Sequence, residues 1–176
     1  MERSSEFMLP FVGLKEGVHQ FNYDIENTFF KTFDFNDFFD AKVKISLTLD
    51  KKSTLLKLNF KAQGSLEVAC DVTDEHFYFP IDTNFDWIVK FGDDYNNDND
   101  EILIIPHGSY EIDLAQPIYE MIVLAIPAKI EHPGIEDGSL ESDILNKLEE
   151  LQPKERLLPQ EESDPRWNKL KDLLKQ

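Results

Sequence analysis

A strict alternation of apolar and polar side chains over residues 41–49 constrains the fold more than any other feature of the sequence. The apolar positions are Ala41, Val43, Ile45, Leu47 and Leu49, and polar residues stand between them. Period-two alternation rich in β-branched residues predicts a strand with one covered face and one wet face. The alternation resumes at 56–60 after a polar segment at 50–53, so the two segments together predict a β-hairpin.

Four further segments, at 18–25, 65–70, 75–82 and 84–91, have the same character and predict additional strands. Several short strands in succession, each with one covered face, are typical of a meander of antiparallel strands. We therefore expect an α+β fold with an antiparallel, barrel-like β-sheet, one buried helix and two C-terminal helices.

The buried helix is predicted at about 114–126. Asp113 is a suitable N-cap, a glutamine follows three residues later as in a capping box, and Pro127 ends the apolar run. The segment is apolar nearly all round, which predicts that most of it is buried. Glu120 is the one charge within it, and it fits either a solvent-facing stripe of the helix or an ion-pair or partner contact.

The composition changes after residue 130, so we predict a β-rich core domain at 1–130 and an acidic linker with amphipathic helices at 131–176. Residues 131–163 hold ten acidic and three basic side chains. Leucine and isoleucine spacing predicts a helix at 139–151 capped by Ser139. A last helix is predicted from Asp164 as cap and Pro165 as first helical residue, with Trp167 on its apolar stripe.

Six of the 14 phenylalanines lie within residues 29–39. So many phenylalanines in a short segment favour a cluster of rings that packs against one face or end of the sheet. The alternative is an exposed aromatic surface for a partner or for stacking bases, but this segment has Lys31 as its single basic residue.

Residues 93–101 form a polar, acidic segment that predicts a surface loop. Asp94, Asn96 and Asp98 have the spacing of the first three ligands of an EF-hand. The glycine position of that loop is Asn99, however, and the twelfth position is Ile105 instead of glutamate. We therefore expect a solvated loop here and no calcium site.

The net charge of −17, from 35 acidic and 18 basic side chains, argues against a generic nucleic-acid-binding protein. The charge is unevenly distributed, because residues 42–61 carry a local charge of +5. This basic hairpin is either an RNA-binding surface or a solvated edge whose lysines discourage strand pairing. The RNA-binding candidates are Lys42, Lys44, Lys51, Lys52, Lys57 and Lys61.

No catalytic motif is present, so we expect a protein without enzymatic activity, cofactor or metal. The seven glycines are dispersed and form no phosphate-binding loop, and the four histidines have no i,i+4 pair. Cys70 is the one cysteine, which excludes an intrachain disulfide, and without basic neighbours it predicts a buried, inert thiol. No apolar run reaches the length of a membrane span, and we expect a cytoplasmic protein of unknown oligomeric state.

Three motifs occur in an order that matches one known family. A strand at 66–73 ends in Cys70-Asp71-Val72-Thr73, similar to a strand that ends in Cys-x-x-Cys. The second motif is similar to a helix that begins Ile-Asp-Leu and contains a buried glutamate, here Asp113 and Glu120. In the family this helix is followed by Leu-x-Leu-Pro and a histidine, which correspond here to Pro127 and His132. The C-terminal motif is similar to a terminal Asp-Pro-Arg-x-x-x-Leu-x-x-Leu, and here it begins Asp164, Pro165, Arg166, Trp167. In these features the chain resembles the YceD family, the large ribosomal RNA subunit accumulation proteins of bacteria and plastids.

The chain also departs from the family pattern. Many relatives carry a second cysteine where Thr73 stands and another shortly after the histidine, and residues 134–139 contain none. Cys70 and His132 alone cannot form a structural zinc site.

The resemblance implies a non-enzymatic factor in large-subunit ribosomal RNA accumulation, processing and ribosome assembly, which binds preribosomal RNA or a preribosomal particle. An alternative is an acidic binding module or chaperone for a basic large-subunit ribosomal protein. A third alternative, a divalent-metal hydrolase, needs carboxylates that converge from different elements.

Overall fold

The computed structural model describes residues 5–99 and 101–151 of the 176-residue chain. A short 3₁₀ helix (Ser5–Phe7) precedes the first strand. The strands are β1 (Met8–Pro10), β2 (Gly17–Glu26), β3 (Asp40–Lys51), β4 (Leu55–Ala69), β5 (His76–Gly92), β6 (Asn96–Asn99), β7 (Ile102–Pro106) and β8 (Glu111–Asp113). The helices are α1 (Asn27–Lys31), α2 (Ala115–Leu124), α3 (Pro133–Glu136) and α4 (Asp143–Leu151).

Six strands form one sheet in the order β2-β3-β4-β5-β7-β6, and β1 pairs with β8 in a separate two-stranded ribbon. The predicted hairpin at 41–60 is confirmed as β3 and β4, which pair antiparallel over twelve rungs. The sheet is mostly antiparallel, as expected, but β5 and β7 run parallel. The described strands leave the sheet open, with β2 at one edge and β6 at the other, so the barrel-like arrangement is not formed.

Two long strands replace four of the predicted shorter ones. The segments expected to end near residue 60 and to begin again at 65 are continuous in β4, and the two segments on either side of Thr83 are continuous in β5. The apparent interruption in β4 arises from Gly64. A Cβ atom at this position would lie 2.1 Å from the carbonyl oxygen of Lys42, so the close approach of β3 to β4 requires glycine here.

The phenylalanine-rich segment lies largely in the core, as expected for a cluster of rings that packs against the sheet. Phe29, Phe30 and Phe38 are buried, and Phe33 and Phe35 are partly buried against the same core. The Phe33 ring stacks on Tyr119 of α2 with ring centroids 4.3 Å apart, which joins this segment to the helix. Phe39 is the exception among the six rings, since it is 53% exposed.

Helix α2 is close to its predicted position but only one of its faces is covered. Pro117, Ile118, Met121 and Ile122 are buried, whereas Leu124 is largely exposed. The N-cap position is Leu114, one residue later than predicted, although the Asp113 carboxylate still accepts a hydrogen bond from the Ala115 N–H at 2.9 Å. The side-chain amide of Gln116 donates a hydrogen bond to the Glu120 carboxylate one turn later.

The chain divides into two compact units, residues 1–140 and 141–176. In the second unit α4 begins four residues later than the predicted helix, and the hydroxyl of Ser142, not Ser139, accepts a hydrogen bond from the Ile144 N–H. None of the residues of α4 is buried. The helix predicted from Asp164 lies outside the described residues.

The ring cluster around Phe30 predicts a large difference between two neighbouring phenylalanines. Phe30 is fully buried, with its ring in contact with Phe29 and Phe38, so Phe30→Ala should lower the free energy of unfolding by about 3–5 kcal/mol. Phe39→Ala serves as the matched control and should cost less than about 1 kcal/mol, because half of that side chain already faces water. Urea unfolding measures both values, and equal losses would contradict this assignment of the core.

Candidate functional site

The outer face of the sheet carries four of the six candidate RNA-binding lysines. Lys42 and Lys44 lie on β3, and Lys57 and Lys61 lie on β4, all with exposed side chains. The strand register arranges this face in rows across β2, β3, β4 and β5. The rows are Glu26–Lys42–Ser65–Pro80, Asp24–Lys44–Gln63–Asp82, Asn22–Ser46–Lys61–Asn84, Gln20–Thr48–Asn59–Asp86 and Val18–Asp50–Lys57–Ile88.

These rows mix the lysines with carboxylates. The five rows contain four lysines and five acidic residues, and Lys44 stands between Asp24 and Asp82 in its own row. Directly opposed side chains on neighbouring strands have Cβ atoms about 5 Å apart, well within the distance over which charges act in physiological salt. The local charge of +5 in the sequence therefore does not produce a uniformly basic face in the fold.

The other two candidate lysines are engaged at the hairpin turn. The Lys51 ammonium donates hydrogen bonds to the carbonyl oxygens of Phe11 and Leu14, each at 2.7 Å. Lys52 forms an ion pair with Asp50 at 3.6 Å. Lys51 thus fastens the loop that follows β1 to the end of β3, which is a structural role that the sequence pattern did not reveal.

Exposed aromatic rings lie at the end of the same outer face, near Lys42. Phe39 stacks on His76 with ring centroids 3.8 Å apart, and Tyr78 is 59% exposed. Acidic groups accompany these rings too. Asp40 pairs with Lys42 at 2.9 Å, and this hydrogen bond lowers the pKa of Asp40 and raises that of Lys42.

Cys70 and His132 come together at the end of β4. The Cys70 sulfur is buried and accepts a hydrogen bond from the His132 N–H at 3.3 Å. His132 caps the short helix α3, since its Nδ1 accepts from the Gly134 N–H at 3.0 Å. The burial expected for Cys70 is confirmed, and the contact with His132 joins two of the motif positions found in the sequence.

The thiol of Cys70 has an unusual electrostatic environment. Burial raises its pKa, but the Thr73 hydroxyl and the backbone N–H groups of His132, Val72 and Thr73 together outweigh burial and hold the pKa below its ordinary value. The Thr73 hydroxyl oxygen is itself buried and makes no hydrogen bond of regular geometry, so its effect on the sulfur comes from proximity. Backbone donors thus replace the basic side chain that a lowered thiol pKa usually requires.

Thr73 occupies the position at which a second cysteine would complete a Cys-x-x-Cys pair. Among the described residues, no three side chains of histidine, cysteine, aspartate or glutamate converge to hold a metal ion. Cys70 and His132 therefore do not fit a four-ligand zinc site in this chain.

A cavity of about 1150 Å³ opens on the inner side of the sheet. Its apolar lining includes Phe85 and Trp87 of β5, Leu103 and Ile105 of β7, and Phe29 and Phe33 in and after α1. Both edge strands border its opening, through Asn97 of β6 and through Asp24 and Glu26, which lie on the outer face of β2. The unclosed sheet therefore leaves part of its inner face accessible from one side.

The charged lining of this cavity is acidic wherever the structure describes it. Among the described residues, six carboxylates line the cavity and no lysine, arginine or histidine does. We call this cavity the acidic groove; its carboxylates belong to Glu6, Asp24, Glu26, Glu111, Asp113 and Glu120. Sequence reasoning missed the groove because these residues come from four separate segments, and only the predicted helix position of Glu120 gave any indication of it.

One protein family matches this chain. Its sequence model, described as Large ribosomal RNA subunit accumulation protein YceD, covers residues 58–174, which is more than half of the chain. The chain belongs to the YceD family. The family name implies a role in large ribosomal RNA subunit accumulation. No curated protein and no solved structure matches the chain.

The family-motif positions have different environments in this YceD protein. Asp113, Cys70 and His132 are at least partly buried and make the hydrogen bonds described above. Glu120 is exposed at the groove, in contrast to the buried glutamate that the resemblance implied, and Pro127 is exposed after α2. Asp164, Pro165, Arg166 and Trp167 lie outside the described residues. None of the described helices is long and apolar enough to cross a membrane.

The contacts of Lys51 predict that it contributes more to the stability of the fold than its neighbour Lys52 does. Lys51→Met removes two charge-assisted hydrogen bonds and should lower the free energy of unfolding by about 1.5–3 kcal/mol. Lys52→Met removes an exposed ion pair and should cost less than about 1 kcal/mol. Chemical unfolding of both variants tests this difference, and a Lys51 variant as stable as wild type would refute the structural role.

The lowered pKa of Cys70 predicts a pH-dependent contribution to stability. Between the folded pKa and the unfolded pKa of about 8.5, the unfolded chain binds more protons, so stability from this thiol increases as pH rises. It is fully present above the unfolded pKa and is lost as pH falls through the folded pKa. The difference in unfolding free energy between wild type and Cys70→Ala, in reducing buffer, should therefore be larger at pH 9 than at pH 6. A constant or shrinking difference would contradict the lowered pKa.

Proposed function

We propose that this YceD protein supports large-subunit ribosomal RNA accumulation by binding a basic large-subunit ribosomal protein before that protein joins the particle. The observation that carries the proposal is the acidic groove, a concave surface whose described lining has six carboxylates and no cationic side chain. Such a surface attracts a cationic protein and increases its rate of association at low salt.

The charge of the whole chain also favours a basic protein over bare RNA as the partner. With a net charge of −17, the protein repels bare RNA over most of its surface. An acidic partner shields a basic ribosomal protein from nonspecific contacts with nucleic acid. It then releases its client to ribosomal RNA, whose phosphates compete for the same cationic side chains.

Direct binding of preribosomal RNA or particles is the second candidate function. Its specific support is a group of exposed rings at the end of the outer sheet face, formed by Phe39, His76 and Tyr78. They lie near Lys42 and so offer bases a stacking surface beside a cation. The variant that tests it is Lys42→Glu/Lys44→Glu/Lys61→Glu, which includes the lysine beside these rings and leaves out Lys51 because Lys51 holds the fold together.

Recovery of purified large-subunit proteins on the immobilised full-length chain distinguishes the two functions. We expect basic ribosomal proteins to be retained at low salt, to resist ribonuclease and to be released by moderate salt, because the attraction is electrostatic. The triple lysine variant should retain them equally well. If ribonuclease abolishes recovery, or if the triple variant loses it, RNA binding is the better explanation and the proposal is wrong.

A further inference from the structure

The acidic groove has features beyond its charge that specify what it can hold. Its volume of about 1150 Å³ exceeds the roughly 300–1,000 Å³ typical of small-molecule pockets, which indicates room for several side chains of a polypeptide. It is lined by carboxylates and by rings, of which Tyr95 is exposed, Phe33 is partly buried, and Phe29 and Trp87 are buried.

Some carboxylates of the groove have no cationic partner among the described residues. No ion pair there involves Glu6, Asp24, Glu26 or Glu111, although Asp24 and Glu26 stand opposite Lys44 and Lys42 in the strand register. Glu120 accepts a hydrogen bond from the neutral amide of Gln116. A concave surface with a single sign of charge focuses the electrostatic field on its interior. A phosphate backbone would be repelled from the same position.

The combination of rings and carboxylates favours arginine over lysine. A guanidinium group stacks on an aromatic face and at the same time donates two parallel hydrogen bonds to a carboxylate. A lysine ammonium is a more strongly hydrated point charge and loses more on leaving water for an apolar lining. The groove therefore offers more contacts to arginine than charge alone would provide.

One wall of the groove also suits an extended backbone. Asp24 and Glu26 belong to β2, which is an edge strand of the sheet. An edge strand presents unpaired backbone groups to which an extended segment can add. These two carboxylates are two residues apart on the outer face of β2, so a segment that pairs with this edge would place its own alternate side chains beside them.

We infer that the acidic groove is the docking site for an extended, arginine-bearing segment of a basic protein. This inference rests on the proposed function and deepens it, since it assigns the client-binding site and the side chain that is recognised. Single-stranded RNA and a second copy of this chain are the other occupants that the test distinguishes.

Peptide titration of the full-length chain tests the inference. The probes are eight-residue peptides that alternate valine with arginine, lysine or glutamate. Trp87 lines the groove, and the chain has one other tryptophan, so Trp167→Phe makes the fluorescence report on Trp87 alone. The arginine peptide should bind and change Trp87 emission, the lysine peptide should bind several-fold more weakly, and the glutamate peptide should not bind.

Two matched triple variants locate the site. Glu6→Gln/Glu26→Gln/Glu111→Gln changes groove residues and should weaken the arginine peptide by about tenfold or more. Asp37→Asn/Asp93→Asn/Glu101→Gln makes the same change in net charge at exposed positions outside the groove, and should alter affinity by less than about twofold. Equal weakening by both variants would mean adsorption to the general acidic field and would overturn the inference.

Other outcomes of these experiments would assign the groove to a different occupant or separate the docking site from the proposed function. Displacement of the peptide by an RNA oligonucleotide that itself changes Trp87 emission would assign the groove to RNA, and a dimer lost only in the groove variant would assign it to a second copy. If basic ribosomal proteins are retained equally by wild type and the groove variant, the proposed function stands and this docking site is wrong. If wild type retains none, the proposed function fails, while the peptide titration still decides whether the groove binds arginine.

Discussion

The antiparallel ladder of β3, β4 and β5 is the constraint on which the rest of the molecule depends. β4 pairs with β3 over twelve rungs and with β5 over fifteen, so one central strand fixes the register of both neighbours. Because side chains alternate between the two faces of a strand, a shift of one residue would move every core residue of β4 to the solvent side. Apolar positions such as Leu58 and Phe60 therefore set the positions of all polar groups on the opposite face.

The same register determines how charge is distributed over the surface. Lysines of the basic segment are flanked in the fold by acidic residues of other strands, as Lys44 is by Asp24 and Asp82. Carboxylates that are remote in the sequence come together around the acidic groove. Pairing thus disperses the basic segment and concentrates acidic ones, which makes a protein client easier to explain than bare RNA.

The parts of this structure governed by local patterns could be predicted from the sequence. The alternation at 41–49 located β3, the density of rings at 29–39 indicated core, and the apolar run before Pro127 located α2. Features that depend on contacts between distant residues were missed. Gly64 looked like a break because nothing local shows that Lys42 lies against it, and Lys51 looked like a surface cation because its acceptors are 37 and 40 residues away. The groove and the donors around Cys70 are assembled in the same long-range way.

The parallel pairing of β5 with β7 has a consequence for the order in which the molecule is built. β6 precedes β7 in the chain but lies outside it in the sheet, where it pairs with β7 and not with β5. β6 therefore cannot join the sheet until residues 102–106, which link it to β5, have been synthesised. During synthesis the rim of the groove that contains Tyr95 and Asn97 should form after the β3–β4–β5 ladder, so a nascent chain completes the acidic groove only after the ladder is in place.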